Sequence, residues 1–69
     1  MSNFKPNTDL YGMKVVFVGD DGLPTGEGTL KKITSPFTFV VDSHTVEIGQ
    51  SDDMWISGDT VYIQNAEEV

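Results

Sequence analysis

The side chains of this chain that are able to do chemistry are few and scattered. There is no cysteine and a single histidine, His44, so disulfides are excluded and a structural zinc site lacks its ligands. Asp20-Asp21-Gly22 sets two carboxylates side by side, but a calcium loop needs further oxygen ligands at fixed spacings, and this stretch does not supply them. Turn chemistry accounts for the pair. The neighbouring glycines do not form a phosphate loop, because no Lys-Ser/Thr and no helix follows. His44 falls in a turn between strands and reads as solvated. No nucleophile–base pair and no carboxylate pair in a recognisable pocket stands out, so catalysis is not expected and no cofactor is implied.

What remains are groups suited to binding. Phe37 and Thr38 could stack on a base and bond its edge, and stacking on an aromatic ring needs no particular base sequence. The alternation of the following residues instead predicts that Phe37 extends the core face of Phe39 and Val41. Lys31-Lys32 is the only basic cluster, and two lysines on the wet face of a strand need no special role. Trp55 and Tyr62 are either an exposed platform or part of a contact between subunits, and the contact is the preferred reading.

Composition narrows the partners. Eleven acidic residues stand against four lysines and no arginine, for a net charge of −7, which works against wrapping a phosphate backbone. A domain of 69 residues buries only about 60% of the surface of its unfolded chain and is often marginal without help. With disulfides and metal removed, oligomerisation is the helper left. No signal peptide, lipidation motif or membrane-length apolar run is present, so a soluble, cytoplasmic protein with no membrane partner is expected.

The elements that must position these groups read as strands. Residues 1–9 form an arm with at most one helical turn near residues 7–11, which Phe4 could pin to the body. A first strand over 11–19 puts Met13, Val15 and Phe17 on one face. The second, over 26–34, breaks the period of two because Leu30 and Ile33 are three apart. Gly26 and Gly28 permit sharp bending, so a curved or bulged strand is expected, able to pair with both of its neighbours. Phe37, Phe39 and Val41 mark a third strand, and Thr45 to Ile48 continues in extended form.

The strongest local signal is the run from Met54 to Ile63, with Gly58-Asp59 between two β-branched and aromatic halves. A two-residue loop makes Trp55 face Tyr62 and Ile56 face Val61. Both faces of this hairpin then carry large apolar groups, one for the core and one for another chain. Residues 65–69 read as an acidic tail. The expected core is Met13, Val15, Phe17, Leu30, Ile33, Phe39, Val41, Ile56, Val61 and Ile63, in an all-β, strongly bent, five-stranded SH3-like barrel.

These residues resemble the Sm and Sm-like (Lsm) family. Leu10-Tyr11-Gly12 precedes a Val-rich strand, Asp21-Gly22 falls in the first turn, and Gly28-Thr29-Leu30 is similar to the family's Gly-x-Leu. Ile56-Ser57-Gly58-Asp59-Thr60-Val61 is similar to its element before the last strand. The likeness covers residues 10–64. It implies a barrel assembled into rings of about five to seven subunits that bind single-stranded RNA. The loop positions that hold the nucleotide in the family correspond to Thr34, Phe37 and Thr38, with Ser57 and Gly58 on the last hairpin. Ser57 stands where the family has an Arg, Lys32 where it often has a Gly, and the first hairpin is one residue longer. The resemblance therefore implies weak binding of single-stranded RNA, helped by Lys31 and Lys32. An acidic ring that binds a basic protein, its nucleotide pocket lost, is the alternative. In such a ring the last strand of one subunit adds to the fourth-strand edge of the next. Trp55, Val61, Tyr62, Ile63 and Gln64 would lie at that contact.

Overall fold

The computed structural model describes residues 4–69. The strands are β1 (Lys14–Val18), β2 (Pro24–Ser35), β3 (Thr38–Val41), β4 (His44–Glu47), β5 (Met54–Ser57), β6 (Thr60–Gln64) and β7 (Glu67–Glu68). They form one sheet in the order β5-β6-β1-β2-β3-β4-β7. Helix among the described residues is limited to two 3-10 turns, Thr8–Leu10 and Ser51–Asp53. The first lies within the segment where a single turn is expected. Asn7 caps it by accepting the Asp9 N–H at 3.2 Å, and Phe4 packs against the core.

β2 is long because it serves two partners. Its first half pairs with β1 (Lys14 opposite Thr29), and its second half pairs with β3 (Ile33 opposite Phe39). The register skips Thr25 against β1, and Lys31 and Thr34 against β3. Each skip is an extra residue that bends the strand. The one at Lys31 resets the alternation, which is why Leu30 and Ile33 are both buried although three apart.

The far end of the chain ties the sheet's flanks together. β6 runs parallel to β1, with Val15 opposite Val61 and Phe17 opposite Ile63. After Asn65 and Ala66 the same segment becomes β7 and pairs with β4. Asn65 makes the joint at φ 58°, in the left-handed region that asparagine tolerates better than most residues. One stretch of chain thus hydrogen-bonds β1 with its first part and β4 with its second. Seven strands stand where a five-stranded barrel is expected: the two halves of the hairpin are β5 and β6, and the stretch after the break at Asn65 adds β7. Residues 65–69 are not a free acidic tail, because Glu67 and Glu68 lie in the sheet.

The core gathers Val15, Leu30, Phe39, Val61 and Ile63, all almost fully covered, with Ile33, Val41, Val46, Ile48 and Leu10 around them. Met13 and Phe17 are only partly buried against it. Ile56 is the clear departure, being 48% exposed while its cross-strand partner Val61 is 1% exposed. β6 has a strand on either side, whereas β5 is the last strand of the sheet and has only β6 to cover it.

Candidate interaction surface

The hairpin of β5 and β6 has the register its loop dictates: Met54 opposite Ile63, Trp55 opposite Tyr62, Ile56 opposite Val61 and Ser57 opposite Thr60. Gly58 takes φ 62° while Asp59 stays out of the positive region, the pattern of a type II′ turn with glycine first. On one face the rings of Trp55 and Tyr62 stack with centroids 5.6 Å apart and planes 9° from parallel. On the other face Ile56 projects past the core. Trp55 itself is 39% exposed.

β5 also has a free backbone edge. In a two-residue hairpin the pair flanking the loop exchanges both of its hydrogen bonds, and the next pair does not. Trp55 and Ser57 therefore turn their N–H and C=O groups toward β6, and Met54 and Ile56 turn theirs outward. No strand among the described residues receives them. The edge carries no proline, no lysine and no bulge, the usual protections of an open strand. Its short length is the only one present.

The other candidate residues are dispersed. Phe37 lies in the turn between β2 and β3 and is 41% exposed, so it does not extend the core face of Phe39 and Val41. The turn at Pro36-Phe37 precedes β3, which begins at Thr38. The hydroxyls near it are engaged locally. Thr34 donates to the Thr38 carbonyl at 3.4 Å, and Ser35 donates to the Thr38 hydroxyl at 2.7 Å. Ser35 Oγ also accepts the Phe37 N–H at 3.3 Å. Lys31 and Lys32 are exposed; the lysine ion pair among the described residues lies elsewhere, Lys14 with Glu27 at 3.2 Å, and His44 Nδ1 lies within hydrogen-bond distance of Glu68 at 3.0 Å. No hydrogen bond, ion pair or ring contact joins the Phe37 turn to Ser57 and Gly58, and two strands lie between them in the sheet.

Both strands expected at a ring contact have partners within the chain. β4, whose edge the next subunit would use, is paired by β7, and the Val69 N–H reaches the Thr45 carbonyl at 2.9 Å. β6, the strand expected to be donated, has β5 on one side and β1 on the other. Val61 and Ile63 are core residues, and the Gln64 side chain donates to the Gly19 carbonyl at 3.0 Å. Of the five residues expected at a subunit contact, Trp55 and Tyr62 keep a presentable surface. Ile56, expected inside, joins them. The β7 pairing had little sequence signal, since Glu67 sits directly opposite Glu47, an arrangement that like charge disfavours.

The surface also carries hollows. An acidic one of about 300 Å³ is lined by Glu47, Ile48, Gly49, Asp53, Asn65 and Glu67. The described residues contain no group of three or more His, Cys, Asp or Glu side chains placed to hold a metal ion. A second, of about 230 Å³, lies between Phe17, Gly26, Val46 and Ala66. No buried side-chain polar atom among the described residues lacks a hydrogen-bond partner. The Asp20-Asp21-Gly22 turn is a turn: Asp21 accepts the Leu23 N–H at 3.0 Å, and Gly22 takes φ 79°. No protein-family model, no curated protein and no solved structure matches this chain.

Proposed function

We propose that this protein is a non-catalytic interaction module that binds an extended partner strand along β5. The observation that carries the reading is the open, unprotected edge of β5 with Trp55 on one face and Ile56 on the other, both exposed. Strand addition draws affinity from main-chain hydrogen bonds and specificity from side chains on alternate faces. β5 offers both. Its stacked Trp55–Tyr62 pair is already ordered, so less rotamer freedom is lost when a partner covers it. The net charge of −7 disfavours a nucleic acid as the partner.

A single observation favours the reading implied by the resemblance to Sm-like proteins. Phe37 is exposed in the turn that follows β2, and the same strand carries the exposed Lys31 and Lys32, residue types that together suit stacking on single-stranded bases and holding their phosphates. In that reading the chain binds single-stranded RNA weakly, as a member of a ring.

Trp55 is the only tryptophan, so its fluorescence reports the β5 edge directly. Titration with a short peptide alternating valine and lysine, and separately with oligo-U and oligo-A, at about 0.15 M salt separates the two. The peptide should shift Trp55 emission to the blue, and a Phe37→Ala variant should respond equally. Binding of oligo-U that is lost in Phe37→Ala, with no response to the peptide, would replace the strand-binding reading by the RNA reading.

A further inference from the structure

We infer that the strand β5 accepts is β5 of a second copy, in an antiparallel two-fold pair with Trp55 facing its own symmetry mate. This rests on the reading of β5 as a strand-accepting edge and names its occupant.

The backbone restricts the register. Only Met54 and Ile56 point their amide and carbonyl groups outward, and in an antiparallel ladder outward residues must meet outward residues. A two-fold axis can then pass through Met54, Trp55 or Ile56. Centring on Ile56 leaves one outward pair within the strand, Ile56 opposite its own copy, and sets Trp55 against Ser57. Centring on Met54 leaves only Met54 opposite its own copy, because the residues before it belong to the 3-10 turn Ser51–Asp53. Centring on Trp55 sets Met54 opposite Ile56, Trp55 opposite its own copy and Ile56 opposite Met54, all within the strand. The hydrogen-bonding pairs then number two by symmetry, the most that the two outward residues of each strand allow.

The side chains agree with this register. On one face the stacked rings of Tyr62 and Trp55 continue into their copies, giving a row of aromatics across the two-fold axis. On the other face Met54 of one chain covers Ile56 of its mate, the large side chain that β5 leaves 48% exposed. Strand Met54–Ser57 is itself uncharged in a chain of net charge −7, so the patch is the place where two copies meet with least repulsion. A basic partner finds no carboxylate inside the strand to pair with.

A four-residue edge with two half-exposed apolar side chains buries less than the roughly 1,200 Å² of a standard stable interface. The pair is accordingly weak and concentration-dependent. Because both partners are acidic, added salt screens their repulsion and strengthens the dimer. Salt weakens a complex with a basic partner, so the sign of the effect separates the two occupants.

The experiment has two arms. Sedimentation of the wild-type protein from about 10 μM to about 1 mM, the range in which a weak contact is populated, at about 0.02 and about 0.5 M salt, should show monomer passing to dimer, with more dimer at high salt. The chain has no cysteine, so Trp55→Cys and Ile56→Cys variants report register by oxidation. Directly opposite residues in a non-hydrogen-bonded pair lie about 4.5 Å apart at Cα, within disulfide reach. Trp55→Cys should cross-link at least tenfold faster than Ile56→Cys, whose copies are offset by two positions along the strand. Wild type that stays monomeric at the top concentration in high salt overturns the proposal, as does equal or faster cross-linking of Ile56→Cys. If the protein is monomeric yet the valine–lysine peptide still shifts Trp55 emission, the second copy is the wrong occupant and the strand-accepting edge stands. If the peptide also fails, both fall.

Discussion

Asp42 answers both polar backbone groups of Thr29: its N–H donates to the Thr29 carbonyl at 2.9 Å, and its carboxylate accepts the Thr29 N–H at 3.1 Å. The clamp joins the β3–β4 turn to the point where β2 passes from β1 to β3. It also explains Gly28, since a Cβ there would lie 2.5 Å from Asp42 Oδ2 and 2.7 Å from Val41 Cγ1. Asp42 holds φ 53°, a conformation in which a short polar side chain is favoured over most others.

Gly28→Ala should therefore destabilise the fold by about 1–3 kcal/mol, as overpacking against a fixed neighbour does. Asp42→Ala loses the carboxylate bond and keeps the left-handed backbone, for about 1–2 kcal/mol after allowing for the exposure of the bond. Asp42→Asn should cost well under half of that. Urea unfolding of the variants measures all three, and a Gly28→Ala protein as stable as wild type would mean that Asp42 does not hold this position in solution.

Phe37 and Phe39 offer a direct contrast. Phe39 is 1% exposed and Phe37 is 41% exposed, although they sit two apart at the start of one apolar run. Phe39→Ala should cost about 3–5 kcal/mol and Phe37→Ala less than about 0.5 kcal/mol. Thermal denaturation of the two variants decides it, and a large loss for Phe37→Ala would return that ring to the core.

The difference between those two phenylalanines marks how far the chain can be read without its structure. The hairpin register was legible because Gly58-Asp59 admits only one pairing of Trp55 with Tyr62. The bend in β2 is legible because Leu30 and Ile33 cannot both face inward in a regular strand. Alternation misplaces Phe37 because it says which face a residue takes and not where the strand begins, and β3 begins at Thr38, one residue later than the run suggests. Ile56 looked like core because pairing with Val61 puts it on the core face. Whether that face is still covered at β5 depends on what lies beyond the strand, which local pattern does not encode. The clamp from Asp42 was half visible, since a glycine at 28 signals close approach without naming what approaches.

The Trp55–Tyr62 stack should be measurable as a coupling. Offset or parallel aromatic pairs contribute about 0.5–1.5 kcal/mol beyond their buried area, and Trp55 is partly exposed, which favours the lower half of that range. A double-mutant cycle with Trp55→Leu and Tyr62→Leu should give a coupling of about 0.5–1 kcal/mol in unfolding free energy. It must be run at low protein concentration so that self-association does not enter. Strictly additive losses would show that the rings do not interact in solution.

The last prediction concerns what β7 protects. Glu67 and Glu68 cover the edge of β4 although Glu67 faces Glu47 and the turn into β7 requires Asn65 at φ 58°. The pairing is short, and the strand it shields, His44–Glu47, carries the buried Val46. Deleting residues 66–69 therefore removes two ladder partners and the bond from the Val69 N–H to Thr45, and it leaves β4 as a second open edge beside β5. A chain with two open edges can add subunits head to tail as well as across a two-fold axis. The truncated protein should form species larger than a dimer, in light scattering, at concentrations where the full chain is monomer or dimer. Adding Glu47→Lys to the truncation places a lysine on the exposed side of that edge and should suppress the large species. A truncated protein that keeps the size distribution of the full chain would mean that β7 shields nothing and that β4 is closed by its own geometry.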